Sequence, residues 1–269
     1  MCAYALEPGQ RNVVWIEEID NIIGQATRSF IKANGLKRGM KVLDLGCGPG
    51  VMVPWLSEKV GPEGHVYATD PMNEQMEATI RRIRKKNLTN VTCMQSLPNA
   101  LQLPEQSLDL IFGRNVFVYM RKPRQVINHL YTLLKPGGIL IIDEPIVGTT
   151  QLSPPADCIK SFNEKLLKLG KAQGAHYLIA PSLAHLFRRI GLSVTRHQIH
   201  TQRLPFETIA HILYPQFVEQ MRNAMITHKI MTSEELDTFL TELKSLSPEI
   251  HHHGNLATHV RVVAIKATS

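Results

Sequence analysis

Short apolar runs alternate with amphipathic stretches through the first half of this chain. The helical stretches lie at 12–35, 51–60, 73–86 and 123–134, and the apolar runs lie at 42–45, 66–69, 91–95, 108–112 and 139–142. Short strands separated by crossovers long enough to hold helices predict a parallel sheet that is covered on both faces. The pattern therefore predicts a doubly wound α/β fold, preceded by an N-terminal helical segment over residues 1–35.

The second half of the chain is less regular but continues the same alternation. Helical periodicity returns at 154–170, 182–189, 206–229 and 233–246, and strand-like runs occupy 192–200 and 258–266. With these runs the sequence predicts a seven-stranded, mostly parallel sheet. The mostly helical stretch at about 201–255 predicts a cap or insertion before the last strand, within one domain that spans 36–269.

Composition and cysteine content are those of a globular protein. With 269 residues and 43% hydrophobic content, the chain can bury a sizeable core. It has no run of about 18 uncharged apolar residues, and its first residues, MCAYALEPGQ, lack the basic and apolar regions of a secretion leader. We therefore expect a cytoplasmic protein without a membrane span. Cys2, Cys47, Cys93 and Cys158 form no CxxC pair, so we expect free thiols.

The charge balance raises the question of an acidic partner. A net charge of +7 and a pI near 9.3 would suit nucleic acid. The densest basic run, RRIRKK at 81–86, is instead typical of the last turns of a helix, where cations complement the helix dipole. The histidine tract at 251–253 lies in a polar loop, and no metal is assigned to it.

The segment VLDLGCGPG at 42–50 joins a buried strand to a glycine-rich turn and then to a helix. Glycines let the backbone approach a ligand closely, and a helix N-terminus presents unpaired N–H groups, which together predict a nucleotide-like ligand. The dinucleotide pattern G-x-G-x-x-G would place a glycine where this chain has Val51. A nicotinamide cofactor is therefore disfavoured.

The same segment resembles motif I of class I S-adenosylmethionine-dependent methyltransferases, D-x-G-x-G-x-G, through Asp44, Gly46, Gly48 and Gly50. LPEQSLDLI at 103–111 resembles the family's approach to the fourth strand, and KPGG at 135–138 resembles its turn before the fifth. The resemblance covers about 36–145 and is closest to the small-molecule, ubiquinone-methyltransferase-like type. It implies a Rossmann-like fold that binds S-adenosylmethionine along this loop, Cys47 included, and releases S-adenosylhomocysteine.

The resemblance also assigns cofactor contacts to the ends of the second and third strands. Asp70 is expected to accept hydrogen bonds from the ribose diol, or to cap the helix after Pro71, and both roles can coexist. Pro71 and Met72 are expected beside the adenine, with Met72 on its face. Many family members carry an aspartate for the adenine amine, whereas this chain has Ser96 and Leu97 there, so Ser96 or backbone groups would have to serve.

The fourth and fifth strands end in residues that the resemblance places near the methionine and the acceptor. The backbone at Gly113 and Arg114 is expected to hold the methionine amino group. The Arg114 side chain pairs with the methionine carboxylate, with an acidic acceptor, or in a surface salt bridge. A hydroxyl or carbon acceptor needs a base; Asp143-Glu144 offers one inward carboxylate, for which we choose Glu144. His176 is a second candidate, or a surface or core filler.

Three functions stay open at this point. The leading hypothesis is methyl transfer to a small organic acceptor, because motifs typical of base-amino, cytosine and protein-arginine methyltransferases are missing at the end of the fourth strand. A non-catalytic S-adenosylmethionine-binding scaffold and an RNA methyltransferase are the alternatives. Nucleic acid is not the expected partner, and a homodimer is one option for the assembly. Trp15 in the leading helix either closes over the site or packs in the core.

Overall fold

One sheet of seven strands organises the computed structural model of the chain, which describes residues 9–268. The strands are β1 (Lys41–Leu45), β2 (His65–Asp70), β3 (Val91–Gln95), β4 (Leu108–Arg114), β5 (Leu134–Pro145), β6 (Gln151–Ser153), β7 (Leu192–His200), β8 (Arg203–Pro205), β9 (His253–Asn255) and β10 (His259–Lys266). The order across the large sheet is β3-β2-β1-β4-β5-β10-β7. This order confirms the predicted doubly wound α/β fold.

The direction of β10 determines which of its residues lie at the carboxyl edge of the parallel strands. The strands β1 to β5 pair in parallel, whereas β10 runs antiparallel to both β5 and β7. In an open α/β sheet, ligands bind beyond the carboxyl ends of the parallel strands. Because β10 is reversed, its first residues lie at that same edge, beside the last residues of β5.

Helices cover both faces of the sheet. They are α1 (Gln10–Ala33), α2 (Val53–Val60), α3 (Asn73–Lys85), α4 (Pro123–Leu133), α5 (Asp157–Gln173), α6 (Leu183–Arg189), α7 (Tyr214–Thr227) and α8 (Ser233–Ser245), with short turns of 3-10 or π type at Phe117–Tyr119, Ala180–Ser182 and Thr208–Leu213. The single helix predicted at 206–229 is divided into the π turn and α7. Pro215, in the first turn of α7, has no N–H to donate to the preceding turn.

The central strands are buried on both faces, as their nearly continuous apolar runs require. Leu43 and Ile111 pack on one face with α4 and α6, while Val42 and Phe112 pack on the other face with α1 and α2. The alternation of side chains along β1 and β4 thus fills two separate cores from one sheet.

A further apolar cluster forms a layer that we call the cap, built from β6, α5, the π turn, α7 and α8. The sequence predicted a cap at about 201–255, but α5, which precedes β7, packs in the same cluster. A small sheet of order β6-β9-β8 was not predicted, because three-residue strands are too short to show alternation. The cap lies over the carboxyl edge of the large sheet.

Two sequence expectations concern the ends and the thiols of the chain. Cys47, Cys93 and Cys158 are free thiols, while Cys2 and the rest of the segment 1–8 lie outside the described residues. Of the helices between residues 9 and 268, none combines the length and the apolar character that crossing a bilayer requires.

Candidate active site

The glycine turn after β1 is held by bonds from two neighbouring elements. The Thr79 hydroxyl donates to the carbonyl of Gly48 at 2.8 Å, and Arg82 Nε donates to the carbonyl of Pro49 at 3.0 Å, both from α3. The N–H of Cys47 donates to the carbonyl of Thr69 at 2.9 Å. The turn is therefore shaped by the fold before any ligand arrives, which reduces the ordering cost of binding.

A cavity of about 790 Å³ opens beside this turn at the carboxyl edge of the sheet. Most of the residues predicted to bind the cofactor line it: Asp44, Gly46, Cys47, Gly48, Asp70, Pro71, Met72, Ser96, Leu97 and Arg114. The predicted residues Gly50, Gly113, Glu144 and His176 do not line it. The elements β1, β2, β3 and β4 thus deliver their ends to one site, as the topology requires.

Asp70 ties the end of β2 to the glycine turn. Its Oδ2 accepts the N–H of Gly48 at 3.1 Å, and its Oδ1 accepts the N–H of Met72 at 2.9 Å. Burial raises the pKa of Asp70 to about 6, against the lowering effect of these two hydrogen bonds. Each carboxylate oxygen keeps a further acceptor position toward the cavity. The bond to Met72 at the start of α3 and a ligand contact are therefore compatible.

The end of β3 shapes the next wall of the cavity. The N–H of Ser96 donates to the carbonyl of Asp70 at 3.2 Å, and the Ser96 hydroxyl donates to the carbonyl of Leu97 at 3.1 Å. Met72, Leu97 and Pro98 add apolar surface to the same cavity. This part of the cavity wall therefore combines polar backbone groups with apolar side chains.

Arg114 lies in a buried ion pair, so the surface salt bridge considered from the sequence is wrong. Its Nη2 donates to Asp20 Oδ1 of α1 at 2.8 Å, and the Arg114 side chain is 8% exposed. Asp20 also pairs with Arg28, which lies eight residues further along α1. This arrangement holds Arg114 at the cavity wall rather than in bulk water.

Several buried polar atoms at the cavity have no hydrogen-bond partner within residues 9–268. They are Asp44 Oδ2, Arg114 Nη1, Asn115 Oδ1 and Tyr177 Oη. Burial raises the pKa of Asp44 to about 7, with Arg114 lowering it and the charges of Asp70 and Asp20 raising it. Buried polar groups are normally satisfied, so this wall is matched to a ligand that carries both donors and acceptors.

Gly113 does not line the cavity, and the space beside it is filled by neighbouring strands. A Cβ at this position would lie 3.1 Å from Ile142 Cδ1 and 3.7 Å from Leu45 Cδ2. The missing side chain lets β4 sit close between its neighbours β1 and β5. The residues that follow, Arg114, Asn115 and Val116, line the cavity. The contact of the Gly113 backbone with the cofactor stays a prediction.

Glu144 points away from the cavity, so its position does not support the predicted role as base. Its carboxylate accepts the N–H groups of Val116, Phe117 and Val118 at 2.6, 3.1 and 3.2 Å, and the residue is fully buried. Burial raises the pKa of Glu144 to about 8, while the backbone N–H groups act in the opposite direction. Glu144 holds the loop after β4 in place.

This buried carboxyl predicts a pH-dependent stability. Because the pKa of Glu144 in the folded chain, about 8, lies above the ordinary 4.5, its contribution is fully present below pH 4.5 and is lost as the pH rises through about 8. We expect wild type to lose about 4 kcal/mol of unfolding free energy relative to Glu144→Gln between pH 5 and 9, since each unit of pKa difference titrated contributes about 1.36 kcal/mol. Urea unfolding at several pH values measures this difference, and parallel stability curves would contradict it.

His176 is exposed at the rim of a turn and does not meet the cavity. Its backbone N–H donates to the carbonyl of Val118 at 2.8 Å, and its ring Nε2 lies 3.4 Å from the carbonyl of Arg121. The neighbouring Tyr177 is the residue that lines the cavity. The prediction of a site residue at His176 therefore missed by one position the side chain that lines the cavity, Tyr177.

An aromatic wall closes the cavity on the side of the cap. Trp15 of α1 stacks on Phe217 of α7 with ring centroids 5.9 Å apart, and Tyr214 lies 6.1 Å from Phe217. All three rings line the cavity. Trp15 therefore has both of the roles considered from the sequence, since it packs against other rings and also closes the site. The rings of α7 belong to no sequence motif that could have identified them as site residues.

A histidine and an aspartate that are 116 residues apart in sequence meet beside the cavity. His259, the first residue of β10, lines the cavity, and its Nδ1 lies 2.8 Å from Asp143 Oδ1 at the end of β5. Oδ2 of Asp143 accepts Arg261 Nε at 3.1 Å and the Thr27 hydroxyl at 3.0 Å. Sequence reasoning missed His259, because only the pairing of β10 with β5 brings it to this edge.

No cluster of three or more metal-ligating side chains occurs within the described part of the chain. In the histidine tract, the His251 ring stacks on Phe206 at 5.7 Å and its Nδ1 lies 2.8 Å from the carbonyl of Pro154. These contacts give His251 a packing role in the cap.

Comparison with known proteins connects this geometry to a family. The family model described as a methyltransferase domain matches residues 36–182. The chain is 33% identical over 117 residues to the demethylmenaquinone methyltransferase of Listeria welshimeri, which covers 42% of this chain and 48% of that protein. The chain thus spans about half the length of the curated relatives it matches.

Solved structures show a similar architecture. A protein described as a SAM dependent methyltransferase from Aquifex aeolicus has a TM-score of 0.51 and 27% identity, covering 63% of this chain and 80% of that one. The phosphoethanolamine N-methyltransferase 2 of Haemonchus contortus, solved with phosphomonomethylethanolamine and S-adenosylhomocysteine, has a TM-score of 0.58 and 18% identity, covering 91% of this chain and 53% of that one. At that identity the second likeness shows the fold alone.

Proposed function

This chain belongs to the methyltransferase domain family, and from that premise we propose that it transfers a methyl group from S-adenosylmethionine to a small organic acceptor. One observation carries the proposal. A single cavity joins the glycine turn, Asp70 and the unpartnered polar atoms at one end to an apolar, aromatic wall at the other. The first part suits the methyl donor and the second suits the acceptor.

The residues present fit the donor. Its α-amino group would satisfy Asp44 Oδ2, and its carboxylate would satisfy Arg114 Nη1, two charged atoms at the cavity that lack partners among the described residues. Asp70 would accept hydrogen bonds from the ribose diol, and Met72 and Leu97 would flank the adenine. Ser96 takes the place where other family members carry an aspartate, so its hydroxyl and nearby backbone would contact the adenine edge.

The acceptor end favours a small apolar molecule over nucleic acid. Trp15, Tyr214, Phe217 and Met221 enclose it, and within residues 9–268 the cap contributes no lysine or arginine to the cavity wall. The basic run at 81–86 lies on α3, where Arg82 pairs with Glu17 and the carbonyl of Pro49. The relatives named demethylmenaquinone methyltransferase and phosphoethanolamine N-methyltransferase bear the names of small acceptors.

When bound, the donor supplies a methyl group on a positively charged sulfur, which leaves as a neutral thioether after in-line attack. No acid is then needed to expel the leaving group. The protein contributes by holding donor and acceptor in line and by excluding water behind the aromatic wall, and positioning of this kind supplies a large part of a barrier reduction. The loop after β4, fixed by Glu144, keeps Asn115 and Val116 between the two ends of the cavity.

Labelled donor tests the proposal and its alternatives together. We expect S-adenosylhomocysteine to bind in calorimetry, and [methyl-14C]-S-adenosylmethionine to label small molecules in the organic-soluble fraction of a cell extract. Binding without any labelled product would support the scaffold alternative. Label recovered in RNA would support the RNA methyltransferase. If neither S-adenosylmethionine nor S-adenosylhomocysteine binds, the proposal is wrong.

A further inference from the structure

We propose that His259 is the base that takes a proton from the methyl acceptor, and that the acceptor is therefore a hydroxyl or an enol on a flat apolar body. This inference rests on the proposed function, and it concerns the acceptor half of the same site. It is carried by the position of His259 in the cavity wall, by the orientation of its ring, and by the aromatic wall of the same cavity.

The position of His259 follows from strand pairing. In the antiparallel register of β10 and β5, His259 lies opposite Pro145, and both residues line the cavity. The same edge carries Asn115 and Val116 at the end of β4 and the glycine turn at the end of β1. His259 therefore stands where the donor and acceptor ends of the cavity meet.

Asp143 orients the ring of His259. The 2.8 Å contact of Asp143 Oδ1 with Nδ1 requires the proton to be on Nδ1, so Nε2 keeps its lone pair for the cavity side. The other oxygen of Asp143 is occupied by Arg261 and by the neutral hydroxyl of Thr27. Asp143 is thus a positioning residue, and it does not itself receive the acceptor proton.

Charged and titratable groups surround the pair that Asp143 forms with His259. Asp143 of β5, Arg261 of β10, Arg114 of β4 and His200 of β7 are the charged or titratable groups that surround His259. Burial acts to raise the pKa of Asp143, but the hydrogen bond and charge of His259, with the charges of Arg261 and Arg114, hold it below its usual range. Asp143 therefore stays ionised and stabilises the imidazolium.

The step balances in atoms and electrons. The acceptor O–H bond breaks and its proton moves to Nε2 of His259. For a hydroxyl, an oxygen lone pair forms the new bond to the methyl carbon. For an enol, the electron pair of its C=C bond forms that bond while the electrons of the O–H bond form a C=O bond. The bond between the methyl carbon and sulfur breaks, and its electron pair stays on the sulfur. The imidazolium then returns its proton to water. An amine would attack with its own lone pair before losing a proton, so an oriented base favours an O–H acceptor.

The aromatic wall indicates the shape of the acceptor. Trp15, Tyr214 and Phe217 line the same cavity as His259, and their rings pack against one another with centroids 5.9 and 6.1 Å apart. Aromatic pairs prefer offset-stacked or edge-to-face contacts with centroids about 4.5–7 Å apart. A planar ring that bears the reactive hydroxyl would use these contacts while its oxygen faced His259.

Kinetics of His259→Asn test the assignment. The substrates are [methyl-14C]-S-adenosylmethionine and the organic-soluble extract fraction in which wild type produces label. Asparagine keeps a donor for Asp143 but has no basic nitrogen. We expect turnover to fall at least 100-fold, within the about 10²–10⁴ range of general-base catalysis, while S-adenosylhomocysteine binds within about threefold of wild type. Wild-type turnover should rise with pH and then level off, and the variant should lose that rise. Asp143→Asn should lower kcat with little change in KM, because the ring of His259 loses the carboxylate that orients it.

His200→Asn is the matched control, because His200 lies opposite His259 in the β10–β7 register but does not line the cavity. It should retain wild-type turnover. His259→Asn with turnover within fivefold of wild type would overturn the inference and leave the proposed function standing. Independently of any variant, mass spectrometry of the wild-type product should show the methyl group on oxygen or carbon. A methyl group on nitrogen would overturn the inference. If wild type transfers no label to any molecule in the extract, both the inference about His259 and the proposed methyl transfer are wrong.

Discussion

Replacing Asp70 with asparagine is expected to weaken S-adenosylhomocysteine binding by about 100-fold. In the proposed cofactor site the carboxylate accepts two hydrogen bonds from the ribose diol, and hydrogen bonds to a charged group contribute about 1.5–3 kcal/mol each. Asparagine keeps the size of the side chain but loses the charge and turns one acceptor into a donor. A net loss of about 3 kcal/mol corresponds to the expected factor.

Titration calorimetry at pH 8 measures this effect, with Asp109→Asn as the control. Asp109 accepts bonds from the N–H of Lys41 and from Lys135 at the opposite edge of the sheet, so its variant should bind normally. Because burial raises the pKa of Asp70 to about 6, wild-type affinity should also fall as the pH drops below 6, and Asp70→Asn should lack this fall. Equal affinity of the two variants would remove the ribose role of Asp70.

Gly50→Ala is expected to cost about 3 kcal/mol of unfolding free energy and to weaken cofactor binding. Gly50 has a φ of +73°, and a Cβ there would lie 2.8 Å from Thr79 Oγ1 and 2.9 Å from Thr79 Cγ2. The left-handed backbone costs roughly 1 kcal/mol for a residue with a side chain, and overpacking adds about 1–3 kcal/mol. Because Thr79 also donates to Gly48, its displacement would distort the turn.

Gly39→Ala separates the two costs. Gly39 has a φ of +81°, but a Cβ there meets nothing within 4 Å, so this variant should lose only about 1 kcal/mol. Urea unfolding of both variants gives the comparison, and calorimetry should show weakened binding for Gly50→Ala alone. Equal losses would mean that the contact with Thr79 imposes no constraint on the glycine turn.

Much of the cofactor half of the site was predictable because its signals are local in sequence. The glycine turn, Asp70 and Met72 each follow directly after a strand, and parallel strands deliver their ends to one edge. Their positions in the cavity wall therefore followed from the strand pattern and the family resemblance. Gly113 and Gly50 are exceptions, since a motif identifies a glycine without telling whether a ligand or a neighbouring side chain fills the space beside it.

The acceptor half was not predictable in the same way. The choice between Asp143 and Glu144 rested on the alternation of side chains, which separates their faces but does not tell which face meets the cavity. The Glu144 carboxylate accepts N–H groups from the backbone of 116–118, and the Asp143 carboxylate contacts the ring of His259. Arg114 likewise forms an ion pair with Asp20 of the leading helix, a partner 94 residues away in sequence.

The sequence by itself determined the doubly wound sheet, the methyltransferase resemblance and the donor loop, because periodicity and motifs depend on residues within a few positions of one another. Only the tertiary structure decided that His259 stands beside the cavity, that Glu144 is a structural carboxyl, and that the cap joins segments from both sides of β7. These outcomes depend on the antiparallel return of β10 and on side-chain packing between distant segments. Both are set by burial of apolar surface across the whole chain, which no local pattern encodes.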